Sequence, residues 1–439
     1  MAYRKPLKNS LIGFETEMFT IGRNGALVNA ADILLKKAKQ DKNLTLKKEI
    51  ARSMIEIASY PNATVPETML HLLEETEYLI SIAEKENVLL CPLASYPGRY
   101  NPSMRDDKKY MIKSSIFGKE RHKIEGRLTG FHCHYTLPRG IFDSQIHMLK
   151  MLTRSKIKDS VVNSYNMLIA ADPALTCFMQ SSPFYQGEYI GKDSRVIMYR
   201  GGKPLNNMKG LYANFQQFGG LPYYKLTAFD LIDLIKTRYE KWVSHIKSLG
   251  LNIKVLSLYG SILYTTWGPV RISPHGTIEQ RGMDMNHPPH IMAAGVVIRH
   301  VLKRLQEEYY TVVPSEIGIK EPFKVEGDTI YIPPFPYVKN ELQRLSAYRG
   351  LESDIVYNYC KRFLKFAMST MPKDKHRLVE PFLHILNKRK TVSDEILDYV
   401  KKKGWKKGNK LGNSLAKYIA LHHSERLLEE IKRTKRMLS

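Results

Sequence analysis

Acidic residues are scarce for a chain of this size: 43 Asp plus Glu stand against 68 Lys plus Arg in 439 residues, a net charge of +25. Long apolar runs are missing too. No window approaches 18 consecutive apolar residues, which excludes a membrane-spanning helix of ordinary length. The basic start Met1-Ala2-Tyr3-Arg4-Lys5 leads into a strand-like run without the apolar core and small-residue cleavage site of a secretory signal, so a cytoplasmic location is expected. The four cysteines, Cys91, Cys133, Cys177 and Cys360, are far apart with no CxxC spacing. That argues against a thiolate zinc site and a disulfide framework, leaving four reduced thiols. No internal repeat or low-complexity tract interrupts the chain, and 43% hydrophobic content excludes wholesale disorder.

The positive excess invites a nucleic-acid hypothesis, because clustered Lys and Arg neutralise phosphates and release counterions. Solvated lysine faces are common, however, and net charge bears on association and solubility rather than on fold. The placement of the charges decides what they do.

Roughly 150 residues per domain allows two or three structural units. The first two-thirds mixes short strands with amphipathic helices. Strands are expected at Ile12 to Ile21, Met54 to Ser59, Val88 to Ala94, Gly130 to Leu137, Leu256 to Tyr264, Pro269 to Ser273 and Gly276 to Met283. Helices are expected after Pro66, from Asp143 to about Ala171, at Leu231 to Leu249 and from about Pro289 to Tyr310. Phe178 to Leu221 is rich in Gly, Pro, Asn and aromatics, the composition of a functional loop region. Beyond Asn340 the pattern is almost wholly helical. The expected class is α+β: an antiparallel sheet with helices on one face, then a helical C-terminal region. The domains are set at 1–315 and 316–439.

Four strands share one asymmetry. Period-two alternation puts Glu15 and Glu17 on one face, with Phe14, Thr16 and Met18 on the other. Glu56 faces away from Ile55 and Ile57; His132 and His134 share a face opposite Phe131, Cys133 and Tyr135; Glu279 and Arg281 share another. Each motif alone is compatible with a strand face that touches only water. Together they point to a sheet whose polar face lines a cleft. Several glutamates in one cleft repel one another, and desolvation sharpens the repulsion unless cations compensate. Hard divalent ions with oxygen ligands, Mg²⁺ or Mn²⁺, suit such a set better than zinc, and ions held this way bridge nucleotide phosphates.

The ordered set Gly13-Phe14-Glu15-Thr16-Glu17, Glu56-Ile57-Ala58-Ser59-Tyr60-Pro61, Gly130-Phe131-His132-Cys133-His134 and Thr277-Ile278-Glu279-Gln280-Arg281 with Asp284 resembles the glutamate–cysteine ligase family, type 2. Ser181 to Gly187, Tyr199-Arg200, and Trp267 with Arg271 add to the resemblance, which covers residues 11 to about 310. It implies a glutamine-synthetase-like fold and ATP-dependent amide formation. ATP phosphorylates the γ-carboxylate of glutamate, and an amine, with L-cysteine the expected acceptor, attacks the acyl phosphate. It further implies Glu15, Glu17, Glu56, His132 and Glu279 as metal ligands, and Arg281 as the neutraliser of the transferring phosphoryl group. Arg200 and Arg271 would hold phosphate or substrate carboxylate. Tyr185 and Trp267 would line a glutamate or adenine pocket, and His134 would sit behind the metal or face substrate. Homodimerisation is a further expectation.

About 130 residues lie beyond the resemblance. Their densest basic runs are Lys401 to Lys407 and Lys432 to Arg436, with Tyr and Trp interleaved from Tyr399 to Tyr418. A solvated helical surface over an apolar stripe of Ile396, Tyr399 and Val400 is the reading favoured over nucleic-acid binding. The terminal helix, Leu415 to Leu438, has the heptad-like spacing of a self-association surface. The competing functions are a ligase with another amine acceptor, a non-catalytic regulatory protein on the same fold, and a nucleic-acid-binding protein.

Overall fold

Alternating apolar and charged side chains draw Ile12–Gly22 into a central strand, β1, and the other sheet strands assemble around it. These are β2 (Leu46–Lys48), β3 (Met54–Ala58), β4 (Val88–Cys91), β5 (Gly130–Thr136), β6 (Val270–Ser273) and β7 (Thr277–Asp284). The computed structural model describes residues 10–39, 45–150 and 155–439. The seven strands run in the order β6-β7-β5-β1-β3-β2, with β4 also paired to β1, and every pairing is antiparallel.

The apolar face carries helices α1 (Val65–Lys85), α3 (Lys156–Phe178) and α5 (Pro288–Glu308), while α2 (Lys108–Phe117) and α4 (Ala228–Ser248) lie at the flank of the polar face. Phe14 and Phe131 meet edge to face with centroids 5.4 Å apart. The Phe14 ring then presses on α5 at Gly295, where an added Cβ would fall 2.3 Å from the ring. Helix α1 starts where Thr64 and Glu67 form a reciprocal capping box.

Three expected elements differ. Asp143 does not cap a helix. It ends a short strand, and its carboxylate accepts from the backbone N–H groups of Gln145 and Ile146 in a turn. The helix begins instead at Lys156, capped by Ser155, and runs to Phe178. Leu256 to Tyr264 forms 3₁₀ turns rather than a strand, each turn started by a side-chain cap, from Asn252 and from Ser261. Within the irregular 178–221 region, Val196–Arg200 forms a single π-helical turn.

The C-terminal part holds a three-stranded sheet built from Thr311–Pro314, Lys324–Glu326 and Thr329–Ile332, then helices α6 (Asp354–Ser369), α7 (Val392–Lys402) and α8 (Asn413–Leu438). Helix α8 buries Ile419, Ala420, Leu427 and Ile431 inside this chain, against β4, α1 and α5. Its heptad-like stripe is therefore consumed internally. All four cysteines are buried and free. Among the described residues no helix is long and apolar enough to cross a membrane.

Candidate active site

Cross-strand register brings the polar side chains together. Glu15 of β1 lies opposite His132 of β5, and Glu17 lies opposite Glu56 of β3. On the other side of β5, His134 stands opposite Glu279 of β7, and Glu279 opposite Arg271 of β6. These residues, except the fully buried Glu279, line a cleft of about 490 Å³ on the polar face.

Two groups of candidate ligands form, each with one ligand atom per residue and all such atoms within 4.8 Å of one another: Glu15, His134 and Glu279, and Glu17, Glu49 and Glu56; of the expected ligands His132 falls in neither, while His134 and Glu49 take part instead. His132 stands between the groups, with Nδ1 3.3 Å from Glu15 Oε2 and Nε2 3.6 Å from Glu17 Oε1. Lys47 bridges them from above, its Nζ 3.0 Å from Glu15 Oε1 and 2.8 Å from Glu56 Oε1.

Their electrostatics are opposite. In the first group burial pushes the carboxyls up but loses. His134, His132 and Lys47 hold Glu15 well below the carboxylate range, and Arg271, His134 and Arg281 hold Glu279 below it. In the second group burial wins. It raises Glu17 to about 7, with Glu56 adding repulsion, and drives Glu49 well above its usual value and Glu56 upward. Burial, reinforced by Arg281, lowers His132 to about 3, so its imidazole is neutral and able to ligate. In the second group Lys47 on Glu56, and Arg195 and Arg281 near Glu17, offset burial only in part, which leaves it short of positive charge. His132 Nε2, His134 Nε2 and Glu279 Oε1 are buried with no hydrogen-bond partner among the described residues. Oxygen-rich donors, a charge deficit and unspent imidazole nitrogens fit hard divalent cations.

Arg281 enters the cleft where the β5–β7 register slips between Gln280 and Met283, its Nη1 3.4 Å from Glu279 Oε1. Arg271 pairs with Glu279 through Nε and donates from Nη1 to the Thr266 carbonyl at 3.0 Å. Trp267 lines the wall with Lys113 Nζ 4.6 Å above its ring.

Two expected residues are not brought to the cleft. Arg200 is spent on a buried fork to Asp172 (2.6 and 2.9 Å) and a bond to Gln343 (2.7 Å). Tyr185 packs in a hydrophobic cluster and its hydroxyl accepts from Arg127 at 3.2 Å. Arg195, five residues before Arg200 and across the π-helical turn, faces the cleft instead. It lies so close to Gly130 that a Cβ there would sit 2.5 Å from its guanidinium, while the Gly130 N–H donates to Glu17 at 2.7 Å. Sequence reasoning also passed over Lys47, Glu49, and the buried pair Lys113–Glu125, whose oxygens lie 2.5 and 2.7 Å from Nζ. Lys47 carried one signal, since a three-residue edge strand next to β3 aims it at Glu56.

Sheet, helical backing and cleft together define an α+β protein with an antiparallel sheet whose polar face lines a cleft and whose other face is covered by helices. Two solved structures share the fold. One is a glutamate–cysteine ligase from Francisella tularensis in complex with AMP (TM-score 0.62, 13% identity, covering 99% of this chain and 93% of that one). The other is a bifunctional glutathione synthetase from Pasteurella multocida (TM-score 0.59, 13% identity, 96% and 53%). The sequence profile of glutamate–cysteine ligase family 2 matches residues 11–250, and the chain belongs to that family. A relative named "Putative glutamate–cysteine ligase 2" from Janthinobacterium sp. (strain Marseille) is 23% identical over 230 residues, 52% of this chain. The match spans 57% of that relative's length.

Proposed function

We propose that the protein is an ATP-dependent carboxylate–amine ligase that activates the γ-carboxylate of glutamate and joins it to an amine, with L-cysteine as the acceptor. The observation that carries this reading is the convergence of two carboxylate groups with Arg271, Arg281 and Arg195 in one cleft. Phosphoryl transfer needs little beyond positioning and charge neutralisation, and these residues supply both.

Glu17, Glu49 and Glu56, and Glu15, His134 and Glu279 with His132 between them, would hold Mg²⁺ or Mn²⁺, which when bound neutralises nucleotide phosphate charge. Arg281 faces the transferring phosphoryl group, fixed in the cleft by Glu279. Arg271, braced by Glu279 and the Thr266 carbonyl, orients a carboxylate or phosphate oxygen. Arg195 adds a third cation from the wall of the 178–221 region, which also screens the acyl phosphate from water. Trp267 forms part of the cleft wall, with Lys113 over its ring and Tyr212 stacked on it. In this reading the catalytic part is 1–315, which holds every cleft-lining residue, and 316–439 is the helical C-terminal region, joined to it by the pairing of Thr311–Pro314 with Thr329–Ile332. A cytoplasmic setting supplies ATP and keeps the four buried thiols reduced.

The test is an amine screen with purified protein, Mg²⁺, ATP and glutamate, following ADP release. Glutamate-dependent turnover stimulated by cysteine is the expected result. Stimulation by another amine would keep the chemistry and replace the acceptor. No glutamate-dependent turnover with any amine would overturn the ligase reading.

A further inference from the structure

Helices α7 and α8 meet along a surface that ligation does not use. Tyr399 of α7 stacks on Tyr418 of α8, with ring centroids 5.0 Å apart and planes 8° from parallel. One helical turn on, His422 continues the series, 6.1 Å from Tyr418 and 4° from parallel. Beneath the rings, Ile396 and Ile419 are buried and fix both helices to the body of the protein. Above them the rings are open: Tyr418 is 47% exposed and His422 is exposed.

Unbalanced positive charge flanks this ladder. Lys401, Lys402, Lys403, Lys406 and Lys407 are all exposed, and among the described residues none of them forms an ion pair. Acidic residues of the same helix are already occupied, Glu395 by Arg426 at 2.8 Å and Asp398 by Lys390. Lys403 Nζ lies 5.8 Å from the Tyr399 ring centre, so ladder and charge are contiguous. Trp405, between the lysine pairs, is buried against Phe184 at 5.1 Å and holds the basic turn in place.

We propose that this face binds single-stranded nucleic acid, a base stacking on the free outer face at an end of the Tyr399–Tyr418–His422 ladder while the lysines of 401–407 contact phosphates. Parallel exposed rings beside unpaired lysines are the recurring apparatus of single-strand binding, in which any base offers a π-face and the backbone follows the charge. An anionic membrane would use the lysines but would call for aliphatic side chains that insert, whereas the ladder presents stacked aromatic rings with polar tips. The inference stands apart from the ligase reading, since no residue of this face lines the cleft.

The experiment is fluorescence anisotropy on the full chain with labelled single-stranded RNA and DNA of about 12 nucleotides, within the site sizes such surfaces cover. The matching duplex, heparin and phosphatidylserine vesicles serve as competitors. Binding should weaken with salt at a slope of about −0.7 per phosphate contacted. Tyr418→Ala should weaken single-strand binding about tenfold, and Tyr418→Phe should retain it, because stacking needs the ring and not the hydroxyl. Replacing Lys401, Lys402, Lys406 and Lys407 by Ala should flatten the salt slope. No binding at low salt, an unaltered affinity in Tyr418→Ala, or competition by heparin or vesicles as strong as by the unlabelled strand would each overturn the proposal. Tyr418 is exposed, so its loss leaves the fold intact and the comparison valid.

Discussion

Arg271 and Glu279 are cross-strand partners on β6 and β7, and the arginine Nε donates to the glutamate Oε2 with Glu279 fully buried. The same carboxylate lies 3.4 Å from Arg281 and 3.8 Å from His134. One glutamate therefore fixes two arginines and one histidine of the cleft. Glu279→Gln keeps the size and an acceptor oxygen but removes the negative charge that Arg271 and Arg281 share. Glutamate-dependent ADP release should fall by about a thousandfold, the scale of losing an electrostatic stabiliser at the reacting centre. The circular dichroism spectrum should stay native. Near-wild-type turnover would remove Glu279 from the chemistry.

Lys192 is buried, and its ammonium pairs with Asp394 at the start of α7 and with Glu352 at 2.6 Å. Ser393 donates to the Lys192 carbonyl at 2.6 Å, and the Lys192 and Asp193 N–H groups bond the Ala347 carbonyl at 2.8 and 3.0 Å. The C-terminal region thus grips the chain two and three residues before Arg195 of the cleft. Lys192→Met leaves Asp394 buried without its cation, so urea unfolding should show a loss of about 3–5 kcal/mol. Ser393→Ala loses one hydrogen bond and should cost about 1 kcal/mol. Equal stability of Lys192→Met and wild type would show that the pair contributes nothing net.

Period-two alternation made the cleft legible wherever a strand carried it, which is why Glu15, Glu17, Glu56, His132, His134 and Glu279 were visible from order alone. Glu49 was not, because it lies just past the end of β2, and Lys47 stood in a Lys-Lys pair that reads as solvated. Lys113 and Glu125 meet only in the folded chain, one from α2 and the other from a 3₁₀ turn. Choosing between Arg195 and Arg200 required the π-helical turn that sets them on different sides, and local spacing carries no trace of it. Asp143 and Ser155 failed in a related way. An aspartate that closes its own turn and a residue that caps a helix use the same side-chain-to-backbone bond, so only the following backbone tells them apart.

His287 and His423 are buried and joined by a bond of 2.9 Å between Nε2 and Nδ1 where α8 docks beside the start of α5. Burial and then Arg426 lower His423 and the neighbouring His290 to about 3, and burial and then His423 lower His287 well below the usual value. These groups bind protons more weakly folded than unfolded. Stability therefore falls as pH drops from about 6.5 toward 3, by about 1.4 kcal/mol per pH unit for each histidine that stays neutral. His423→Asn preserves a polar atom near the Nδ1 position and removes one titrating group. Urea unfolding between pH 6 and pH 4 should show the slope reduced by about that amount. An unchanged slope would place the acid sensitivity elsewhere.

Glu17, Glu49 and Glu56 converge under burial and mutual repulsion that Lys47, Arg195 and Arg281 offset only in part, whereas the neighbouring Glu279 is held down by Arg271 and Arg281. The folded chain stores that repulsion, and the unfolded chain does not. A divalent cation that binds only the folded form should stabilise it by about 2.7 kcal/mol at a hundredfold excess over its Kd. For a chain of this length that is a rise of a few degrees in Tm. Mg²⁺ or Mn²⁺ should give this rise without ATP or glutamate. Glu56→Gln relieves the repulsion, so its metal-free Tm should equal or exceed that of wild type while the metal-dependent rise shrinks. A thermal-shift series with both ions reads the two effects separately. A rise of the same size in Glu56→Gln, or none in wild type, would count against a metal at this end of the cleft.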